Sequence, residues 1–338
     1  MSATIRDVAQ QAGVGLGTVS RVINGSQSVS EATRQRVLDV IKHLNYVPNP
    51  TARRLSLGRT LTIGVIVPFF TRPAEVERLR GIEHTLLDSG YDLILYNVET
   101  PEQRDLYFRD IPRRERVDGV LIVSLTPRDG DVKPFKKANV PIVLVDAHHA
   151  SLARLNQVIT DDIAGGRAAT QHLIELGHRR IAYLSDCLDE PFNFTSSRDR
   201  LAGYQQALQA AGIPFRPDYH VQGEHGRVEA RRLAAQLLAR PDRPTAIFAA
   251  SDTQAMGVLE AARDTGLRVP DDLSVIGYDD IEIAEYLGLT TMSQKLYQSG
   301  QRGVELLLTT LRDPEAAPVA EVLPAELTVR GTTGRWAE

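Results

Sequence analysis

The sequence predicts an N-terminal all-α helix-turn-helix head joined to an α/β body of two doubly wound parallel-sheet lobes. Up to residue 47 the apolar side chains recur at the three- and four-residue spacing of short helices. From Leu61 onward, short β-rich apolar runs alternate with amphipathic helical stretches, the pattern of strands buried on both faces of a parallel sheet. These runs fall into two series in a chain of 338 residues. At ~100–200 residues per domain, that length exceeds one ordinary core.

In the head, Thr4 and Asp7 have the spacing of a capping box: the hydroxyl accepts an N-terminal backbone N–H, and the acid sits at the positive end of the helix. The first helix then runs through Ile5, Val8, Ala9 and Ala12, and Gly13 supplies the left-handed residue that ends it. Thr18, Val19, Val22 and Ile23 belong to a second helix that stops at Asn24-Gly25, and Ser30 caps a third through Val37, Val40, Ile41 and Leu44. Two short helices, a tight glycine-containing turn and a longer third helix make the arrangement whose second helix enters the major groove of DNA. With Val19, Val22 and Ile23 turned to the core, Leu16, Gly17, Ser20 and Arg21 are left as candidate readers. Arg21 suits a bidentate contact with a guanine edge, whereas the hydroxyls of Thr18 and Ser20 suit phosphate.

Charge is divided in the same place. Residues 1–60 carry eight Lys or Arg against three Asp or Glu, and the remainder carries 31 against 40. A basic head on an acidic body suits a polyanionic partner for the head alone, the plainer alternative being a solvated basic face. The single cysteine, Cys187, excludes an internal disulfide framework. No apolar run approaches the ~18 residues of a membrane span, and the first twenty residues lack a secretory h-region, so a cytoplasmic location is expected.

The head resembles that of the LacI/GalR family of bacterial regulators, through Thr4-Ile5-Arg6-Asp7-Val8-Ala9, Gly13-Val14, Thr18-Val19-Ser20-Arg21-Val22-Ile23-Asn24 and Leu44-Asn45-Tyr46-Val47-Pro48-Asn49. The resemblance implies DNA contacts at Thr4, Leu16, Gly17, Thr18, Ser20, Arg21 and Asn24. It also implies a hinge over residues 48–59, in which Ala52, Arg53, Arg54 and Leu55 form a short helix only on the operator and Leu55 wedges into the minor groove. Too few residues to nucleate a helix alone fit that behaviour. Gly15 replaces the serine usual at the cap of the recognition helix and Gly17 a larger reader, so no operator sequence is inferred.

In the body the apolar runs are Leu61 to Val67, Tyr91 to Tyr96, Val117 to Val123 and Pro141 to Val145, then Ile181 to Ser185, Thr245 to Ala249 and Leu273 to Ile276. Ligands of doubly wound sheets bind beyond the carboxyl ends of the strands. The residues there are Phe69, Asn97, Ser124, Asp146, Asp186, Ser251, Asp252 and Asp279, mostly short polar side chains that suit a polyhydroxylated ligand. The family resemblance continues through Val65-Ile66-Val67-Pro68, Arg80-Gly81-Ile82, Leu176-Gly177-His178-Arg179-Arg180-Ile181, Arg200-Leu201-Ala202-Gly203-Tyr204, Ala249-Ala250-Ser251-Asp252 and Gly277-Tyr278-Asp279-Asp280. It implies a periplasmic-binding-protein-like body with effector contacts at Asp146, Arg198, Ser251, Asp252, Asp279 and Gln294. Phe69, Phe70, Phe192 and Phe194 are the aromatics that can replace the stacking platform, with Phe69 and Phe192 taken as effector contacts, because Ala74 and Glu75 stand where the family keeps an aromatic pair, and His225 where many members keep an aromatic. The lobes are expected over residues 60–160 with 291–320, and 161–290 with 321–333.

No phosphate-binding loop, nucleophile elbow or metal-ligand spacing appears, and Gly13-Val14-Gly15-Leu16-Gly17 follows a helix rather than a strand. His148-His149 beside Asp146 reads as solvated rather than metal-binding, so no cofactor and no metal are expected. The expected protein is a non-enzymatic, homodimeric, operator-binding regulator, commonly a repressor, controlled by a small polar effector such as a sugar. A sugar-binding protein without a transcriptional role and an α/β enzyme are the competing readings. The first needs a secretory signal and has no use for the head, and the second needs a nucleophile or metal constellation.

Overall fold

The computed structural model describes residues 3–47, 54, 58–147, 154–192 and 194–337. Its chain divides into two compact units, the head and the body from Thr62.

The head has three helices, α1 (Ile5–Ala12), α2 (Leu16–Ile23) and α3 (Glu31–His43). The Thr4 hydroxyl accepts the Asp7 N–H while the Asp7 carboxylate accepts the Thr4 N–H at 2.8 Å, and Gly13 ends α1 in the left-handed conformation. Ser30 caps α3 through its hydroxyl alone, which accepts the Thr33 N–H. Val8, Ala12, Val19, Val22 and Val37 close a small core, so the spacing read from the sequence is the spacing that packs.

The body is built from two sheets of like topology. The first lobe contains β1 (Thr62–Pro68), α4 (Pro73–Leu86), β2 (Asp92–Val98), α5 (Pro101–Asp110), β3 (Gly119–Val123), α6 (Val132–Ala138), β4 (Ile142–Val145) and β5 (Asn156–Thr160). The second contains α7 (Asp162–Glu175), β6 (Ile181–Asp186), α8 (Ser196–Ala210), β7 (His220–Gly223), α9 (Arg227–Leu238), β8 (Ala246–Ala249), α10 (Asp252–Asp264), β9 (Ser274–Asp279), α11 (Glu282–Tyr286) and β10 (Thr290–Ser293). The chain returns to the first lobe with α12 (Leu296–Arg312) and β11 (Ala320–Leu323), then to the second with β12 (Glu326–Thr328). Strand order is β2-β1-β3-β4-β5-β11 in one sheet and β7-β6-β8-β9-β10-β12 in the other, parallel throughout except for β12.

Two lobe boundaries lie later than the sequence suggests. Thr291 to Ser293 pair with Gly277 to Asp279 in the second sheet, and Glu321 to Leu323 pair with Val158 to Thr160 in the first. Backbone pairing decides these short segments, which carry no long apolar run.

Helix crossings repeat between the lobes. A Cβ on Gly81 of α4 would lie 2.0 Å from the Tyr297 carbonyl oxygen of α12, and one on Gly300 would lie 2.1 Å from that of Arg78. In the second lobe, Gly203 of α8 and Gly166 of α7 make the equivalent approach, to the carbonyl oxygens of Ile163 at 2.1 Å and Arg200 at 2.3 Å. Each crossing helix follows the first strand of its lobe and carries an arginine three residues before its glycine, Arg78-Leu79-Arg80-Gly81 and Arg200-Leu201-Ala202-Gly203. On a helix that spacing puts arginine and glycine on one face, so the packing that needs glycine also buries the arginine.

Candidate functional site

The exposed side of α2 presents Leu16, Gly17 and Arg21, with Thr18, Ser20 and Asn24 half-buried beside them. Gly15 caps this helix without a side-chain hydrogen bond, and Asn24 Nδ2 donates to Ser20 Oγ at 3.4 Å. Thr4 is held by Asp7 at the start of α1. Of the expected hinge contacts, Ala52, Arg53 and Leu55 lie outside the described residues, and Arg54 is described as helical.

The body contains a cleft, open to solvent, at the carboxyl ends of both sheets. Three residues that directly follow strands of the first lobe, Phe69, Ser124 and Asp146, adopt left-handed backbone conformations at φ 44°, 49° and 52°. Non-glycine residues held there cost about 1–3 kcal/mol each and cluster where a site must be positioned. Ser124 and Asp146 line the cleft as a result.

Two buried arginines organise the polar lining. Arg78 donates through Nη2 to Asp146 Oδ2 at 2.6 Å and Gln294 Oε1 at 3.0 Å, and through Nη1 to Glu75 Oε1 and Ser124 Oγ, both at 3.2 Å. Arg200 donates through Nε to Asp162 Oδ1 at 2.8 Å and through Nη1 to the Ala250 carbonyl at 2.6 Å, while lying over the Tyr278 ring at 3.7 Å. Gln294 joins the clusters, since its Nε2 donates to Asp279 Oδ1 at 2.5 Å. Asp279 also lies 3.9 Å from Arg200 Nη1.

Burial dominates the electrostatics. It pushes the Asp279 carboxyl up to about 6 against the pull of Arg200 and Arg78. Burial likewise raises Glu75 and Asp162 above the ordinary carboxyl range. Asp186 goes the other way: although burial raises it, the His225 ring nitrogen at 3.0 Å lowers it further. Arg78 and Arg200 lose solvation too, but their carboxylates more than restore the charged form.

Of the eight expected effector contacts, Asp146, Ser251, Asp279 and Gln294 line the cleft. Asp252 does not. Its carboxylate accepts from the Ile281 N–H at 3.0 Å and the Thr291 hydroxyl at 2.5 Å, a fully buried clasp between α10 and β10. Phe69 and Phe192 meet edge to face at 5.5 Å. Phe192 packs into the first lobe's core behind the cleft, and the lining aromatic is Phe194, stacked on Phe192.

Arg198 is also displaced from its expected place. Its Nη2 donates to the Phe194 carbonyl at 3.0 Å, whereas Arg200, two positions on and on another side of α8, reaches the cleft. Sequence reasoning further missed Arg72 and Arg78, which stand on a helix or just before one, and Asp162, which lies two residues beyond β5, a strand without an apolar run to mark it. The arginine-to-glycine spacing shared by the two lobes was the available signal. Ala74, Glu75 and His225, the departures from the family pattern in the body, all face this cleft. Among the described residues there is no cluster of side chains that could hold a metal ion, and no helix is long and apolar enough to cross a membrane.

Residues 4–49 match the bacterial regulatory proteins of the lacI family, and residues 170–333 match a periplasmic binding protein-like domain. Catabolite control protein A of Priestia megaterium is 35% identical over 338 residues, covering 98% of this chain and 100% of its own. The ribose operon repressor of Escherichia coli K12 is 38% identical over 319 residues, covering 92% of this chain and 94% of its own. Among solved structures, the lac repressor dimer bound to operator and the anti-inducer ONPF aligns over 99% of this chain and 100% of that one, with a TM-score of 0.84 and 31% identity. Head, two-lobed body and whole-length similarity agree, and the chain belongs to the LacI family of bacterial transcriptional regulators.

Proposed function

We propose that this protein is a homodimeric repressor that binds operator DNA through its head and whose grip is set by a small polar molecule, a sugar or sugar derivative, held in the body's cleft. The observation that carries the reading is the pairing of an exposed α2 face bearing Arg21 with a cleft lined by one buried arginine–carboxylate cluster from each lobe. Fixed guanidinium forks and carboxylates are suited to ligand hydroxyls. The relatives support the ligand class: one is named for the ribose operon, and a solved neighbour at 34% identity is a complex with cellobiose. Closure of the lobes on the ligand would change how two hinges, including Leu55, pair on DNA, through a coupling of ~1–3 kcal/mol. Binding to DNA would place the protein in the compartment that holds it, and the relatives, named as a control protein and a repressor, support a regulator rather than an enzyme.

Fluorescence anisotropy of the full chain on its own promoter DNA, over a range of salt, tests this. Affinity is expected to fall linearly with salt on logarithmic axes, and Arg21→Ala to lose about 10- to 100-fold on the specific site with much less loss on random duplex. Failure to bind duplex at low salt leaves the sugar-binding alternative. Equal losses on both DNAs would make Arg21 a phosphate contact only.

A further inference from the structure

The geometry points to an effector that carries a protonated amine, with Glu75 as the residue that selects it: an amine-bearing polyhydroxy compound, and not a sugar acid or phosphate ester. This deepens the reading of the cleft as the effector site and rests on it.

The lining carries five carboxylates against three guanidiniums, and the surplus is local. Arg78 is shared by Asp146 at 2.6 Å and Glu75 at 3.2 Å, so Glu75 holds the weaker half of a pair already neutralised by Asp146. Glu75 is only 7% exposed, and its second oxygen, Oε2, has no hydrogen-bond partner. A buried carboxylate oxygen without a donor is unfavourable, and a ligand donor delivered there removes that penalty. Burial raises the Glu75 carboxyl above the ordinary range, and a ligand ammonium beside it would act against that rise.

A hydroxyl ligand would leave the charge surplus as it stands, and an anion would enlarge it. The third guanidinium, Arg72, lies over the Phe69 ring at 4.1 Å and is already in the field of Asp186, Glu75 and Glu190. Ser124, Thr126 and Ser251 remain for hydroxyl groups of the same ligand.

The test is calorimetric titration of the full chain with glucosamine, galactosamine and mannosamine, their neutral parent hexoses, the corresponding uronic acids and the hexose 6-phosphates. At least one amine is expected to bind roughly tenfold more tightly than its parent, with the acids and phosphates weakest. Glu75→Gln should shrink the amine-over-parent ratio by roughly tenfold, and Glu75→Asp should restore part of it; a merely structural role would not move that ratio. A neutral or anionic compound binding best, or an unchanged ratio in Glu75→Gln, overturns the proposal while leaving the cleft an effector site. No binding by any compound overturns the proposal and the effector reading together.

Discussion

Arg200→Met is expected to abolish the effect of ligand on operator affinity and to destabilise the body by about 3–5 kcal/mol at pH 8. The side chain is removed from between Asp162 and the Ala250 carbonyl, and from above Tyr278, so two carboxylates are left buried without their cation. Asp279 already sits near 6 with Arg200 present, and Asp162 is raised as well. Without Arg200 both move higher. A carboxyl raised in the folded state contributes stability that is present below its unfolded value and lost as pH rises through the folded one. The deficit of the variant therefore grows between pH 5 and pH 8. Urea unfolding at the two pH values measures it, and a deficit that is equal at both, or larger at pH 5, would remove Arg200 from its assigned role.

The second large effect concerns the helix crossing that carries Arg200. In Gly203→Val the new Cβ would stand 2.1 Å from the Ile163 carbonyl oxygen and 2.5 Å from the Arg167 nitrogen. Both neighbours are backbone and cannot turn aside, so α7 and α8 must separate. A loss of about 3 kcal/mol, the upper end for an overpacked core, is expected. The same separation draws Arg200 from Asp162, which ties the stability loss to weaker effector binding. Gly17→Ala is the contrast: nothing lies within 4 Å of the added carbon, and replacing a glycine in the first turn of α2 favours the helix by at most about 0.5–1 kcal/mol. Calorimetry of the three proteins separates these outcomes, and a Gly203→Val protein that unfolds with the wild type would refute close helix approach.

The sequence made the architecture readable wherever burial was continuous. β1, β3, β4, β8 and β9 are buried along their whole length and stand out as apolar runs. β11 alternates between exposed and half-exposed residues, and β7 is half-open, so neither forms an apolar run. In the cleft, the strand-end rule finds Asp146, Ser251 and Asp279 because a parallel sheet delivers its carboxyl ends to one place. It misses Arg78 and Arg200, which reach that place from helices, and Asp162, which follows β5, a strand whose Asn156, Gln157 and Thr160 break up any apolar run. The choice between Arg198 and Arg200 depended on helix register: Arg200 shares a face with Gly203 and the buried Tyr204, and Arg198 does not. Asp252 shows the converse, a strand-end acid spent on holding two elements together.

The matched crossings of the two lobes carry a consequence for how a ligand lies. Each jaw offers the same handle, a guanidinium locked to an acid and reached from the helix after its first strand. A compact molecule with similar ends is therefore gripped almost equally whichever end faces which jaw. What distinguishes head from tail is the pair of side chains without a counterpart opposite, Glu75 on one jaw and His225 on the other.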